Sequence, residues 1–161
     1  MQGNFILQIN GEKIILPNTV VNEGEEAYLK MLLRDDQTIV AGGADFFIGL
    51  VNRVPDETDT LAIMAADEIP VANGYARQPV PRNSTGWPTL DSVNGRSRIL
   101  SDAITFTAAG GDFTSDFTRA FMCNVVSGTA GVLFSYSGAL TAPLTVLDTE
   151  SFQMQYEVFL D

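Results

Sequence analysis

Phe152, Met154, Tyr156, Val158 and Leu160 alternate with Gln153, Gln155 and Glu157, the period-two pattern of a strand with one buried face. A second signal stands at the other end of the chain. Residues 5–9 (FILQI) and 13–16 (KIIL) flank Asn10-Gly11, a pair that favours the tight primed turn of a β-hairpin. Pro17 is expected to stop the second strand, because it has no N–H to donate to a ladder. Between these ends the pattern changes once. Ala27, Tyr28, Leu29, Met31 and Leu32 form an apolar stripe at helical spacing, and the spacing predicts a helix over 23–34. Asn22 is placed to cap it, with Glu25 reaching back as in a capping box. Glu23, Glu25 and Glu26 favour its N-terminal dipole, while Lys30 and Arg34 favour the C-terminal one. Asp35-Asp36 is expected to end it.

Residues 45–51 (DFFIGLV) form a nearly continuous apolar run, as in a strand buried on both faces. A polar loop (PDETDT) follows, and 61–67 leans towards a short helix. From Gly74 onward, short β-patterned runs alternate with Gly, Ser, Thr, Asn and Pro clusters. Residues 75–78 read as a strand that Pro79 and Pro81 confine to an edge or terminate. Residues 81–95 read as a long loop holding Trp87. Strands are expected at 103–107, 117–126 and 132–136, before the final one. About seven or eight antiparallel strands and one short helix in the N-terminal half make a mainly all-β, jelly-roll-like sandwich. The expected organisation is one domain over 1–161. Residues 1–21 form a hairpin or arm and 22–161 the sandwich.

The chain has 161 residues, 45% of them hydrophobic and 18% charged, an ordinary globular balance. The single cysteine, Cys123, excludes an internal disulfide framework, and its strand-like surroundings fit a small buried hydrophobe. The net charge is −11, which repels nucleic acid. No apolar run reaches the length of a membrane-spanning helix, and the first residues lack the basic region and apolar core of a secretory signal. Synthesis in a host cytoplasm, with neither membrane nor nucleic acid as partner, is the expectation. The charge is uneven. Residues 1–70 carry twelve Asp or Glu against four Lys or Arg, whereas between residues 77 and 98 Arg77, Arg82, Arg96 and Arg98 face one acid, Asp91. Such an island can dock an acidic partner through its guanidinium forks. The more economical expectation pairs these arginines with the chain's own carboxylates.

With no histidine, the common general base, the His-assisted triads and imidazole metal sites are all missing. No phosphate-binding glycine loop occurs. Asp56, Glu57 and Asp59 supply oxygens of the kind calcium takes, though a solvated acidic loop explains them better. Asp112 and Asp116 are spaced as two carboxylates around Phe113, but acids in a polar turn more often cap it. No catalytic residue, cofactor or metal is expected, and the chain reads as a non-enzyme. Trp87, the lone tryptophan, stands in a loop. It is either an interface anchor or sugar-stacking platform, or an indole folded back over a sheet edge. Arg77, Arg82, Trp87, Arg96 and Arg98 are the candidate partner contacts.

The ordered blocks GYARQPV, RNSTGWPT, ITFTAAGGDF, TRAFMCN and SGTAGVLFSYSGAL, with LKMLLRDDQTIVAGGADFFIGLVNR upstream, resemble a family of small virion structural proteins of tailed bacteriophages. The resemblance runs from about Tyr28 to Leu160. It implies a capsid decoration or cement protein on the virion surface, homotrimeric, whose partner is the major capsid protein. In such a protein, residues 1–21 can add a strand to a neighbour's sheet. A tail, fibre or head appendage with a carbohydrate-binding face is the alternative it implies. The resemblance carries no site residues with it.

Overall fold

In the computed structural model, described for residues 2–34 and 44–160 without the side chain of Leu32, the protein is mainly β. Ten strands form one curled antiparallel sheet. The strands are β1 (Gln2–Ile9), β2 (Glu12–Val20), β3 (Phe46–Val51), β4 (Gln78–Val80), β5 (Thr89–Val93), β6 (Arg96–Leu100), β7 (Ile104–Thr107), β8 (Arg119–Cys123), β9 (Leu133–Ser137) and β10 (Ser151–Leu160). Two helices accompany them, α1 (Asn22–Arg34) and α2 (Leu61–Ala66). The strand order is β4-β3-β8-β9-β2-β1-β10-β6-β5, with β7 beside β6 along the same flank of β10. The sheet folds over at β2, giving a jelly-roll-like sandwich with a shared corner strand.

The corner comes from one strand with two partners. Residues 12–17 of β2 pair with β1, and residues 18–20 pair with β9. Pro17 lies at the changeover and does not end the strand as expected. Counting from the two-residue turn at Asn10 (φ 49) and Gly11 (φ 81), Pro17 sits opposite Asn4 in a pair that exchanges no hydrogen bonds. Its missing N–H therefore costs the β1 ladder nothing, while its carbonyl accepts from Gly138 N–H. The hairpin of β1 and β2 fills the middle of the sheet, with β1 between β2 and β10.

Side-chain alternation divides the interior in two. Phe5, Leu7, Ile48, Leu50, Phe106, Phe152, Met154 and Tyr156 face inward and build the main core between the sheet's two halves. On the far face of β3 and β8, Val51, Phe121 and Cys123 meet Leu61 and Met64 of α2 in a second cluster. This is why residues 46–51 are apolar on both faces. α2 matches the expected short helix, so the described residues hold two helices rather than one. α1 begins at Asn22, and Glu25 N–H donates to Val21 O. Val21, not Asn22, therefore stands at the cap, and the expected capping box does not form. Glu23 instead accepts backbone N–H groups from Leu61 (3.1 Å) and Leu133 (2.9 Å), tying α1 to α2 and β9. Ala27 is buried and Tyr28 and Met31 pack on the core, while Leu29 is exposed. The expected stop at Asp35-Asp36 lies outside the described residues.

Three other expectations change. The strand expected at 75–78 is β4, which runs 78–80 and contains Pro79 on the sheet's edge. The one expected over 117–126 is shorter, because the Asn124 side chain accepts Val132 N–H (2.7 Å) and turns the chain. Residues 81–95 are not all loop, since β5 and β6 form a hairpin around Asn94 (φ 53) and Gly95 (φ 79). Between Met122 and Cys123 the β8–β9 register shifts, with Phe134 as the extra residue. Phe134 can then pack on Phe46 at 5.1 Å while Ser135 Oγ meets Tyr156 Oη at 3.0 Å.

These buried groups set the pH behaviour. Burial pushes the Cys123 thiol and the Tyr75 phenol up, and holds Tyr156 up at about 12. The folded chain keeps protons that the unfolded chain releases from about pH 9 upward, so stability is full below that pH and falls as pH rises. Glu26, Asp56 and Asp91 are held down by Lys30, by hydrogen bonds from Thr58 and by Arg98, respectively. Their contribution is present above the ordinary carboxylate range and is lost as pH falls through the folded values. With no histidine, the expected melting temperature is flat from about pH 5 to 9 and declines on either side. A step between about pH 6 and 8 in a calorimetric series would contradict this.

Candidate functional site

At one end the sandwich closes on itself, where β4 lies against β7. At the other end a cleft of about 620 Å³ lies between the two halves, with Leu90 of β5 and Ile99 of β6 in its lining. Residues 81–88 connect two edge strands, β4 and β5, across this opening. Trp87 points from that connection into the gap. Its ring lies 6.4 Å from Phe46 on one half and 6.2 Å from Tyr156 on the other, edge to face with both. It is half-buried, and it joins the halves where no ladder does.

The connection is rigidly built. Asn83 Oδ1 accepts from Thr85 N–H (2.9 Å) and Gly86 N–H (3.0 Å), and Trp87 N–H donates to Asn83 O. Gly86 passes so close to the Pro81 backbone that a Cβ there would collide with its carbonyl. The indole is thus held by its backbone as well as by its neighbours.

Tyr156 and Met122 line the depth of the cleft, and Leu90, Ile99 and Val158 line its β5–β6–β10 side. Leu90 is 76% exposed. Arg82, Asn83 and Ser84 bring polar groups to the rim, and Arg82 is the one charged residue in the lining. Its guanidinium lies 5.3 Å over the Phe46 ring. The result is an apolar recess with polar groups at its rim, beside a sheet edge that no other described strand pairs, and it is suited to holding an apolar group.

The five candidate contacts are not one patch. Arg82 and Trp87 belong to the cleft. Arg96 and Arg98 lie on the opposite face of β6 from Ile99. Arg98 makes a fork to Asp91 (2.9 and 2.6 Å) and reaches Glu157 at 3.2 Å. Arg96 lies over the Phe159 ring and donates to Gln2 Oε1 at 2.9 Å. Arg77 is buried, 3% exposed. It pairs with Glu68 at 2.7 Å, donates to the carbonyls of Val125 and Gly128, lies over Phe121 and touches Cys123 Sγ at 3.5 Å. Its burial removes it from any outer surface. Arg77 and Arg98 thus pair with the chain's own carboxylates.

The acidic candidates sit in separate local contacts. Asp59 pairs with Arg53 at 2.9 Å and accepts Asp56 N–H, while Asp56 accepts the N–H and O–H of Thr58. The Glu57 carbonyl accepts Asn22 N–H. Asp112 accepts Asp148 N–H (2.7 Å) and Asp116 accepts the Thr145 hydroxyl (2.7 Å), each with its own partner. Among the described residues no group of three or more Asp, Glu or Cys side chains is placed to hold a metal ion. The cleft and the edge beside it escaped the sequence reading, and the one available signal was Asn94-Gly95. No protein-family model matches the chain, and no curated protein matches it.

Proposed function

We propose that the chain is a non-enzymatic structural protein of a tailed-bacteriophage virion, one that decorates and stabilises the capsid by binding the major capsid protein. The observation that carries this reading is the apolar cleft with the β5 edge beside it, on a sandwich whose Asp56, Asp59, Asp112 and Asp116 carboxylates are engaged in internal contacts. Such a surface suits docking on another protein, where a few apolar anchors in a recess dominate affinity. The ordered blocks from Tyr28 to Leu160 support the virion class, and a homotrimer on the shell surface follows from the same resemblance. Many weak contacts repeated over a lattice then stabilise the shell by avidity. A sugar-stacking face on a tail or fibre component asks for an open indole, whereas Trp87 is engaged edge to face with Phe46 and Tyr156.

The test adds purified chain to shells assembled from the major capsid protein of the same phage. Saturable binding and a raised shell disruption temperature are expected, with light scattering giving a trimer mass for the free or lattice-released chain. Shells that bind none of it and are equally stable without it would remove the proposal.

A further inference from the structure

We infer that Asn94, at the tip of the β5–β6 hairpin, is a self-modification site, whose side-chain amide is lost by reaction with the chain's own Gly95 nitrogen and water, ahead of the other Asn-Gly pairs. The site is independent of the capsid-binding reading. Asn-Gly occurs three times in the chain, at 10–11, 73–74 and 94–95. All three asparagines hold the left-handed conformation, with φ of 49, 51 and 53, as a two-residue primed turn demands. With no Cβ, glycine presents the least hindered backbone nitrogen to the side chain before it. Sequence therefore ranks the three pairs alike, and their surroundings separate them.

The reaction needs only water. Gly95 N attacks Asn94 Cγ, the side-chain nitrogen leaves with the Gly95 amide proton as ammonia, and a cyclic imide closes. Water then opens that ring at either carbonyl, giving aspartate or its β-linked isomer. Closing the ring swings the asparagine ψ away from its value in a primed turn. The turn must open first, so the rate follows the ease of local opening.

At Asn73 the turn is clamped. Its side chain donates to Asp112 O at 2.6 Å, its carbonyl accepts Ala109 N–H at 2.9 Å, and a Cβ on Gly74 would collide with Thr107 O. Asn10 and Asn94 are both exposed, and a Cβ on Gly11 or Gly95 would meet nothing within 4 Å. What flanks these two turns differs. Ile9 and Ile14 pack on the main core, and β10 holds β1 on its other side as far as Gln8. Fraying that tip uncovers core. Val93 belongs to neither core cluster, and among the described strands β5 pairs with β6 alone. The β5–β6 tip therefore opens at the lowest cost.

The product changes a hairpin that lines the cleft through Leu90 and Ile99. Either isomer makes the net charge of −11 one unit more negative. The β-linked isomer also adds a main-chain carbon that a two-residue turn cannot hold, which releases the Val93–Arg96 pair.

Peptide mapping by mass spectrometry, on purified chain aged in warm, mildly alkaline buffer, reads each pair separately. Conversion at Asn94 is expected to run about tenfold or more ahead of Asn73, and clearly ahead of Asn10. In urea-unfolded chain the three rates are expected to converge. Asn94→Gly suits the left-handed position and is expected to abolish the first acidic species seen on isoelectric focusing, with the fold kept. Conversion led by Asn10 or Asn73 in the folded chain would overturn the inference. So would a folded Asn94 that stays intact while the unfolded one converts, a ranking that persists in urea, or a first acidic species that survives Asn94→Gly.

Discussion

Replacing Arg77 with alanine is expected to destabilise the protein by about 3–5 kcal/mol, the range for breaking one half of a buried ion pair. The reason lies in what remains. Glu68 accepts from Arg77 Nε and Nη2 at 2.7–3.1 Å and also takes the Tyr75 hydroxyl at 2.7 Å. Tyr75 Oη in turn accepts Leu50 N–H at 2.8 Å. Without the guanidinium, Glu68 keeps a charge with little water around it, and the Val125 and Gly128 carbonyls lose a donor. Lysine is a poor replacement, because one ammonium cannot reach Glu68 and both carbonyls in the fork geometry. The double variant Arg77→Met with Glu68→Leu removes both charges, and is expected to recover much of the loss. Urea unfolding by circular dichroism separates these outcomes. A single-variant loss below about 1 kcal/mol would show that the pair is screened as at a surface.

The second large effect is expected at Trp87. Trp87→Ala removes the wedge between Phe46 and Tyr156 and opens the seam that the 81–88 connection spans. A loss of about 3 kcal/mol is expected, the low end for a large aromatic because the indole is only half-buried. Trp87→Phe is expected to retain most of the stability, since a ring still meets both neighbours. If alanine costs less than about 0.5 kcal/mol, as at an ordinary surface position, the indole is a free surface group and the sugar-binding alternative regains its ground. Far-UV circular dichroism is the suitable probe, because the variant lacks the only tryptophan.

Legibility in the sequence tracked the presence of an opposing layer. β10 was readable because one face lies against the main core, so Phe152, Met154 and Tyr156 alternate with Gln153, Gln155 and Glu157, and β1 and β2 were readable because Asn10-Gly11 separates two apolar runs. β3 was readable as doubly buried because α2 covers its far side. β5 and β6 were not, because Leu90, Ser92, Ser97 and Ile99 face an open cleft while Asp91, Arg96 and Arg98 face solvent on the other side. With no second layer to bury either face, alternation disappears, and only the Asn-Gly turn marks the hairpin. Arg77 was misleading for a different reason. Its partner Glu68 is nine residues away, yet its burial depends on β8 and residues 125–128, distant contacts that local composition does not carry. For Trp87 the loop position was legible, but not the two rings it joins.

The place of β1 beside β10 has a further consequence, for the order of events in folding. Asn4 Nδ2 donates to Glu157 Oε2 across 153 residues of chain, and the two strands pair from Gln2–Phe159 to Gln8–Gln153. Closing so long a loop costs entropy before any contact repays it, which places this fold among slow, non-local folders. Until residue 160 has emerged from the ribosome, the β1–β2 hairpin has no permanent neighbour on its β10 side. A hairpin alone is marginal in water, and its Phe5, Leu7 and Leu16 side chains stay uncovered for that interval. Synthesis rate and chaperone supply, rather than the stability of the finished sandwich, then set how much of the chain reaches it.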